Sequence, residues 1–259
     1  MIHWELHTPA GLTAPGWLEE ISELRGRVLY ESGRRPGFRR TDGRFADPDP
    51  RDMHAYHILA RLEAQLVGCV RLLIPVAHTP GVTEGLLGLE RFMSMLKLLG
   101  ATRNGSIEAG RWIADPAYRG SRVGVLLAAG AIATARSLSV KVLFCPVGTR
   151  EKQDRVLARL GLKPVPHVPL IAMPAFDDEV RVMHIFPAQP LPHIAELMDA
   201  MATELRLWGK TTFVSGSPTA GVGKGIGEAP CTTLSFISSE VADIDPIGED
   251  IEQLCGDRP

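Results

Sequence analysis

The stretch DPAYRGSRVGVLLAAGAIA, residues 115–133, decides how this chain folds. It follows a run of strand-like residues, SIEAGRWIA at Ser106–Ala114, and passes into an alanine-rich segment. The spacing predicts a loop over Asp115–Val123 and a helix over Gly124–Leu138, whose small side chains allow close packing on a sheet. The start of a helix leaves backbone N–H groups unpaired and carries partial positive charge. Glycine lets a ligand approach the backbone, and arginine offers a charged fork that matches phosphate. Arg119, Gly120, Ser121, Arg122, Val123 and Gly124 therefore form either a pyrophosphate cradle or a glycine-rich turn with solvated arginines.

Outward from this stretch the pattern alternates. After it, VKVLFCPV (Val140–Val147) is a buried-type strand, Arg150–Leu160 an amphipathic helix stopped by Gly161 and Pro164, and His167–Phe176 and Val180–Phe186 a closing pair of strands. Before it, Trp17–Tyr30 shows helical spacing, and Glu31–Pro50 is a long loop rich in Arg, Gly, Pro and Asp, the length and composition of a functional loop or lid. AYHILARLE and QLVGCVRLLIP, residues 55–63 and 65–75, make a hairpin, and Leu86–Leu99 is a helix. Pro192–Trp208 is a further helix with Ile194, Leu197, Met198, Met201, Leu205 and Trp208 on one stripe. Strand, loop, helix, strand and helix in succession imply an α/β fold with a partly parallel, mixed sheet flanked by helices. The expected organisation is one domain over 1–190, an added C-terminal helix over 191–209 and a flexible acidic tail over 210–259. An added strand at Thr232–Ile237 is the alternative within that tail, and the Gly221–Gly227 run reads as tail rather than phosphate loop.

The 259 residues are 45% hydrophobic and 22% charged with a net charge of -2, which gives no global signal for nucleic acid or a membrane surface. The four cysteines, Cys69, Cys145, Cys231 and Cys255, are far apart and suggest neither a metal site nor a disulfide framework. Residues 1–15 lack the pattern of a signal peptide, and no apolar run is long enough to span a bilayer, so the expectation is a cytoplasmic protein. A homo-oligomer is compatible with all of this.

Residues 115–133 resemble the phosphate loop of the GNAT superfamily, [QR]-x-x-G-x-[GA], in the same strand–loop–helix setting. Arg119, Val123 and Gly124 match, while Arg122 stands where the middle glycine usually sits. LARLGL at 157–162 resembles a helix end of the same family. The likeness covers about Trp17 to Pro187. It implies an acyl donor carried as a thioester on a pantetheine arm, from coenzyme A or an acyl carrier protein, bound where Ser106–Ala114 and Val140–Val147 splay apart.

A narrower likeness rests on four pieces in order. DPDPRDMHAYHIL (47–59) resembles E-x-D-x-x-D-x-x-[AS]-x-H-x-L, with Asp47 for Glu, and GCVRLLIP (68–75) resembles G-C-x-R-L-L-x-P. Glu90-Arg91-Phe92 resembles an aromatic-bearing helix, and EAGRW (108–112) resembles E-x-S-R-F. These are patterns of long-chain N-acyl amino acid synthases, exosortase-associated acyltransferases and acyl-homoserine-lactone synthases.

Each chemical role has a structural alternative. Aminolysis needs a base because a free amine is mostly protonated at neutral pH. Glu108 is the first choice, or it pairs with Arg111 or Arg71 to hold the sheet. Asp47, Asp49 and Asp52 either bind the acceptor amine or order the loop by pairing with Arg25 and Arg27. Arg71 either grips an acceptor carboxylate bidentately or joins an Arg–acid network. His57 is a substrate-binding group or a satisfied strand histidine. Cys145 as an acyl-carrying nucleophile competes with plain packing. Met93, Met95, Leu96, Leu98 and Leu99 line an acyl tunnel or form ordinary core. Arg34–Arg44 with Arg150, Lys152, Arg155 and Arg159 form either a docking patch for an acidic carrier protein or solvated surface. Backbone N–H groups over Gly110–Trp112 are expected to polarise the thioester oxygen.

The resulting expectation is transfer of a long acyl chain from acyl carrier protein or acyl-CoA to a small amino acid-like amine. Acetyl-CoA-dependent acetylation, homoserine-lactone synthesis and non-catalytic thioester binding are the rivals.

Overall fold

The computed structural model describes residues 1–11, 13–118, 121–174 and 178–207. Arg119, Gly120 and the expected tail at 210–259, including the Gly221–Gly227 run and Thr232–Ile237, lie outside the described residues.

The expected elements form, with three additions. A strand β1 (Ile2–His7) precedes helix α1 (Gly16–Glu31). The alternation of Ile2, Trp4 and Leu6 was its signal, since these three pack on the main core while the residues between them do not. Strands β2 (Tyr56–Leu62) and β3 (Gln65–Leu73) make the hairpin. The next helical region is two helices, α2 (Val82–Leu87) and α3 (Leu89–Leu98), because Gly88 takes φ +77° and breaks the run. Strand β4 (Ser106–Ala114), helix α4 (Val123–Ser137), strand β5 (Val142–Gly148) and helix α5 (Gln153–Arg159) follow. Strand β6 is only Lys163–Pro164, β7 is Ile171–Met173, β8 is Asp178–Ile185, and helix α6 is Pro192–Glu204. No helix among the described residues is long and apolar enough to cross a membrane.

The sheet runs β1-β2-β3-β4-β5-β8-β6, with β7 also on β8. Among the described residues, only β4 and β5 pair in parallel. Helices α4 and α6 and the residues Leu157 and Leu160 of α5's end share the main core on one face. On the other face α1 packs on Leu59, Leu66 and Cys69, and α3 packs through Phe92, Met95 and Leu96 on Val142 and Phe144. Helix α4 is apolar nearly all round because the sheet covers one side and α6 the other. Gly130 lets α6 come close, for a Cβ there would lie 3.2 to 3.4 Å from Met201, Leu205 and Ile58.

Two departures from sheet regularity shape the centre. β4 and β5 pair only at Ser106–Val142, Ile107–Leu143 and Glu108–Phe144. Beyond these pairs both strands continue, β4 on β3 and β5 on β8, and they diverge. The second departure is a bulge. Cys69 faces Ile113 but Arg71 faces Gly110, so β4 carries one extra residue here. Arg111 sits in it with φ +54°, a conformation that L residues avoid. The extra residue turns Arg111 to the α1 face while Trp112 points to α4, where its indole N–H donates to the Gly124 carbonyl at 2.9 Å.

Loop 32–55 returns over α1 and touches it closely. A Cβ on Gly26 would fall 2.5 Å from the backbone nitrogen of Ala46. Gly26→Ala must therefore push the Ala46–Asp47 segment off the helix, and an expected loss of about 1–3 kcal/mol is readable as a lowered denaturant midpoint.

Candidate active site

Loop 32–55 carries three aspartates onto three arginines of the regular elements. Arg25 of α1 donates through Nη1 and Nη2 to the two oxygens of Asp52, at 3.1 and 2.5 Å, and through Nη2 to the Asp47 carbonyl at 2.8 Å. Its Nε lies 3.2 Å from the Asp47 carboxylate. Arg71 of β3 places Nη1 2.8 Å from Asp49 and 3.0 Å from Asp52. Arg111 of the bulge pairs with Asp47 and Asp49, each at 3.1 Å. Arg51 closes the set on Asp49 at 2.9 Å. Arg25 and Arg71 are 0% and 1% exposed, so these charges persist only because every carboxylate has more than one cationic neighbour.

The electrostatics follow from that packing. Burial opposes ionisation of Asp49, but the charge and hydrogen bond of Arg71, with help from Arg51, hold its carboxyl far below the usual range. Asp52 is also lowered against its burial, chiefly by Arg25 and then Arg71. His57 moves the other way. Burial drives its pKa down to about 4, with Arg25 and Arg71 adding to the effect against Asp52. The ring is neutral at pH 7, and its Nε2–H donates to the Asp52 carbonyl at 3.0 Å.

The predicted site residues therefore separate into two groups. Asp47, Asp49, Asp52, His57 and Arg71 come together as expected, but as a closed network. Arg71 is committed to two aspartates and is buried, so the reading of it as a carboxylate grip on substrate gives way. Arg27, expected on the loop aspartates, instead pairs with Asp115 at 2.5 Å. Glu108 joins neither Arg71 nor Arg111. Its two oxygens accept the N–H groups of Val82 and Thr83 at 2.8 Å each, capping α2 across the chain. Gly81 has no room for a side chain there, since a Cβ would sit 2.6 Å from the carboxylate.

Beside the network, the divergence of β4 from β5 opens a cavity of about 230 Å³. Its inner wall is apolar: Val70, Ala109, Leu143 and Cys145 of the sheet, Ala128, Ala131 and Ile132 of α4, and Leu157 and Leu162. Its rim carries Arg34, Arg35 and Arg111 with Trp112 and Gln153. This cavity, rather than the α3 stripe, is the apolar space at the site. Met95, Leu96 and Leu99 are packed core, and Met93 and Leu98 face outward. Cys145 lines the cavity, but burial, with the charge of Glu108 next, pushes its thiol to about 12. It stays protonated at neutral pH and is no activated nucleophile. A second, mixed-charge hollow of about 540 Å³ lies on the far side of the network, between α1 and the loop. Asp49 borders it, and Arg111, 3.1 Å away, borders the first cavity.

Next to this opening α4 begins. Ser121 and Arg122 are exposed there, and the Ser121 hydroxyl donates to the Tyr118 carbonyl at 2.6 Å and accepts from the Val123 N–H. Val123 is buried core and Gly124 is held by Trp112. The bulge thus ties the first turn of α4 to the strand that lines the cavity.

Removing one partner from the network should be costly. Asp52→Asn leaves Arg25 and Arg71 buried without their shared carboxylate, and a loss of about 3–5 kcal/mol in chemical denaturation is expected. The pH dependence has two windows. His57 has a folded pKa below its unfolded value, so its contribution is full above about pH 6.5 and is lost as pH falls toward 4. Asp49 and Asp52, also depressed, lose theirs at more acidic pH, below the unfolded carboxylate value of about 3.9. His57→Gln should therefore flatten the stability profile between pH 6.5 and 4 and leave the more acidic limb in place.

No curated protein sequence matches this chain. A family model described as an acetyltransferase (GNAT) domain matches residues 24–129, which run from α1 through the bulge into α4. Among solved structures, a CoA-dependent acyl-homoserine lactone synthase, BjaI, determined with MTA, is similar over 80% of this chain and 89% of its own, at 17% identity and TM-score 0.55. The same synthase with SAM and isopentyl-CoA gives TM-score 0.54 at 18% identity, over 80% of this chain and 89% of that one. TofI, in a ternary complex with an inhibitor and MTA, gives TM-score 0.54 at 18% identity over 77% of this chain and 99% of that one. At these identities the structures speak for the fold alone. Residues 24–129 thus match the GNAT acetyltransferase domain model, and the mixed sheet with its central divergence is the fold shared with these solved structures.

Proposed function

We propose that this protein transfers a fatty acyl group from a pantetheine thioester to the amine of a small amino acid-like acceptor. One observation carries the reading: the divergence of β4 from β5 opens directly onto an apolar cavity with a cationic rim. The pantetheine arm lies between the two strands, and the donor phosphates meet the start of α4, where the exposed Ser121 and Arg122 stand. The acyl chain points inward against Ala128, Ala131 and Ile132.

The chemistry is aminolysis. The amine nitrogen forms a C–N bond at the thioester carbonyl, the C–S bond breaks, and the proton lost by the amine leaves with the thiol or with solvent. The cavity lining among the described residues holds neither a carboxylate nor a histidine. Rate enhancement then rests on positioning and on backbone N–H groups over Gly110–Trp112 facing the developing oxyanion. Glu108, occupied by α2, acts as a cap rather than as the base. Glu108→Gln should lower stability by about 1–3 kcal/mol and leave the shape of the pH–rate profile unchanged, and an abolished acidic limb would restore the base reading.

Cavity size bears on the donor. A volume of about 230 Å³ is roughly half as large again as the ~150 Å³ space that takes one benzene. A medium-length chain fits better than a sixteen-carbon chain, and far better than it needs to for acetyl. Exposed Arg39, Arg40 and Arg44 on one side and Arg150, Lys152, Arg155 and Arg159 on the other offer charge to an acidic carrier protein, so both carrier and coenzyme A donors belong in the test. Thiol release is to be measured with acyl donors from two to sixteen carbons against a panel of amines. A maximum at intermediate length is expected, and Ala131→Phe should shift it at least two carbons shorter. Thiol release only with acetyl-CoA would favour the acetylation rival. A second reading, lactone synthesis, draws on BjaI having been determined with SAM and isopentyl-CoA. Including SAM among the acceptors decides it, since a lactone product would replace the amide.

A further inference from the structure

Strand β5 lies inside the sheet, between β4 and β8, and yet it contains a proline, Pro146. Proline has no N–H to give to a ladder, so within sheets it is confined to edges and bulges. Which neighbour it deprives follows from the register. Thr149 donates its N–H to the Glu179 carbonyl at 2.9 Å, and this pair continues the β5–β8 register that runs through Val147–Arg181 and Cys145–Met183. Antiparallel partners alternate between pairs that exchange hydrogen bonds and pairs that do not. Leu143, Cys145 and Val147 therefore direct their main-chain groups to β8, and Phe144, Pro146 and Gly148 turn theirs to β4. The far side of β8 agrees. Val182, opposite Pro146, gives its carbonyl to the Val165 N–H at 2.9 Å, away from β5.

The last parallel pair is Glu108–Phe144. In a parallel ladder a residue bonds to the neighbours of its opposite number, so one further rung would carry the N–H of residue 146 to the Ala109 carbonyl. Proline cannot supply it. From this residue on, β5 is an edge on the β4 side, and the Ala109 carbonyl faces the opening instead of a strand. Ala109, Cys145 and Pro146 all line the cavity, so the missing rung lies where the cavity begins. The bulge does not account for it. Arg111 lies two residues past Ala109, and Ala109 still pairs regularly with Leu72 of β3.

We infer that Pro146 is a positioning residue that holds the acyl-donor cleft open before the donor arrives. The inference rests on the acyl-transfer reading above. With an N–H at position 146 the two strands close over one more rung and bring Ala109 against Cys145, which narrows the mouth of the cavity. A donor then binds only the open fraction of the molecules, and its apparent affinity falls by that fraction. Proline removes the closed state from the competition and gives up one main-chain hydrogen bond to do so. The residue acts on the spacing of the strands and takes no part in bond making.

The test restores the missing N–H in the full chain. Pro146→Val returns it at nearly constant side-chain volume, and Pro146→Ala returns it with less bulk. Octanoyl-CoA and octanoyl carrier protein serve as donors. Both variants should raise the donor KM roughly 10-fold, about the net worth of one hydrogen bond, with a much smaller change in kcat and in the KM of the amine. Neither should lower the denaturant midpoint, whereas replacing a residue that merely packs lowers it. In the unliganded variants the amide of residue 146 should exchange with deuterium slowly, as a ladder amide does. A fast-exchanging amide there, or an unchanged donor KM in both variants, overturns the inference. So does an effect confined to Pro146→Ala, which would make ring volume the cause. Calorimetric binding of octanoyl-CoA gives the same comparison without turnover. If the wild type transfers to no amine, the acyl-transfer reading fails by itself, and this inference stands or falls on the exchange rate at residue 146 and on whether both variants bind octanoyl-CoA more weakly than the wild type.

Discussion

Charge pairing inside the Arg–Asp network is the constraint on which the rest of the site depends. Arg25, Arg71 and Arg111 come from a helix, a regular strand and a strand bulge, and the fully buried Arg25 and Arg71 could not stay charged in the interior alone. Asp47, Asp49 and Asp52 come from one irregular loop, which is also tied to α1 by the Asp47 N–H on the Ser22 carbonyl at 3.0 Å. Each group needs the other. The loop is ordered by the arginines, and the arginines are buried only because the loop arrives.

The bulge at Arg111 belongs to the same constraint. A regular β4 would alternate faces and send residue 111 toward α4. The extra residue instead brings it to the α1 face, at the cost of a positive φ of the kind worth about 1–3 kcal/mol. Two ion pairs, to Asp47 and Asp49, offset that strain. The same distortion points Trp112 at the first turn of α4 and ends regular geometry on the side of β4 that parts from β5. The cavity and the network thus both border one irregular strand. The opening separates an apolar interior, suited to an alkyl chain, from a cationic rim.

Much of the fold was legible along the chain. The hairpin, β4, α4, β5 and the amphipathic α6 appear close to where periodicity puts them, because each buries a long apolar face and the pattern is strong. What escaped was short or was interrupted by a single residue. β1 has six residues and was assigned no element, α2 was merged with α3 across Gly88, and β6 has two residues. The gathering of Asp47, Asp49, Asp52, His57 and Arg71 was visible as a motif. Its partners were not, for Arg27 and Glu108 were assigned neighbours by charge alone, and Asp115 and the N–H groups of α2 took them instead.

By itself the sequence determined which residues must be buried together and that a strand, a loop and a helix start lie in succession, since periodicity and residue type act locally. The tertiary structure decided which partner each charged group took. That choice depends on distances between elements up to 88 residues apart in sequence, as for Arg27 and Asp115. An ion pair in a low-dielectric interior goes to whichever opposite charge or N–H group the packing brings within about 3 Å, and sequence spacing carries no information about that distance.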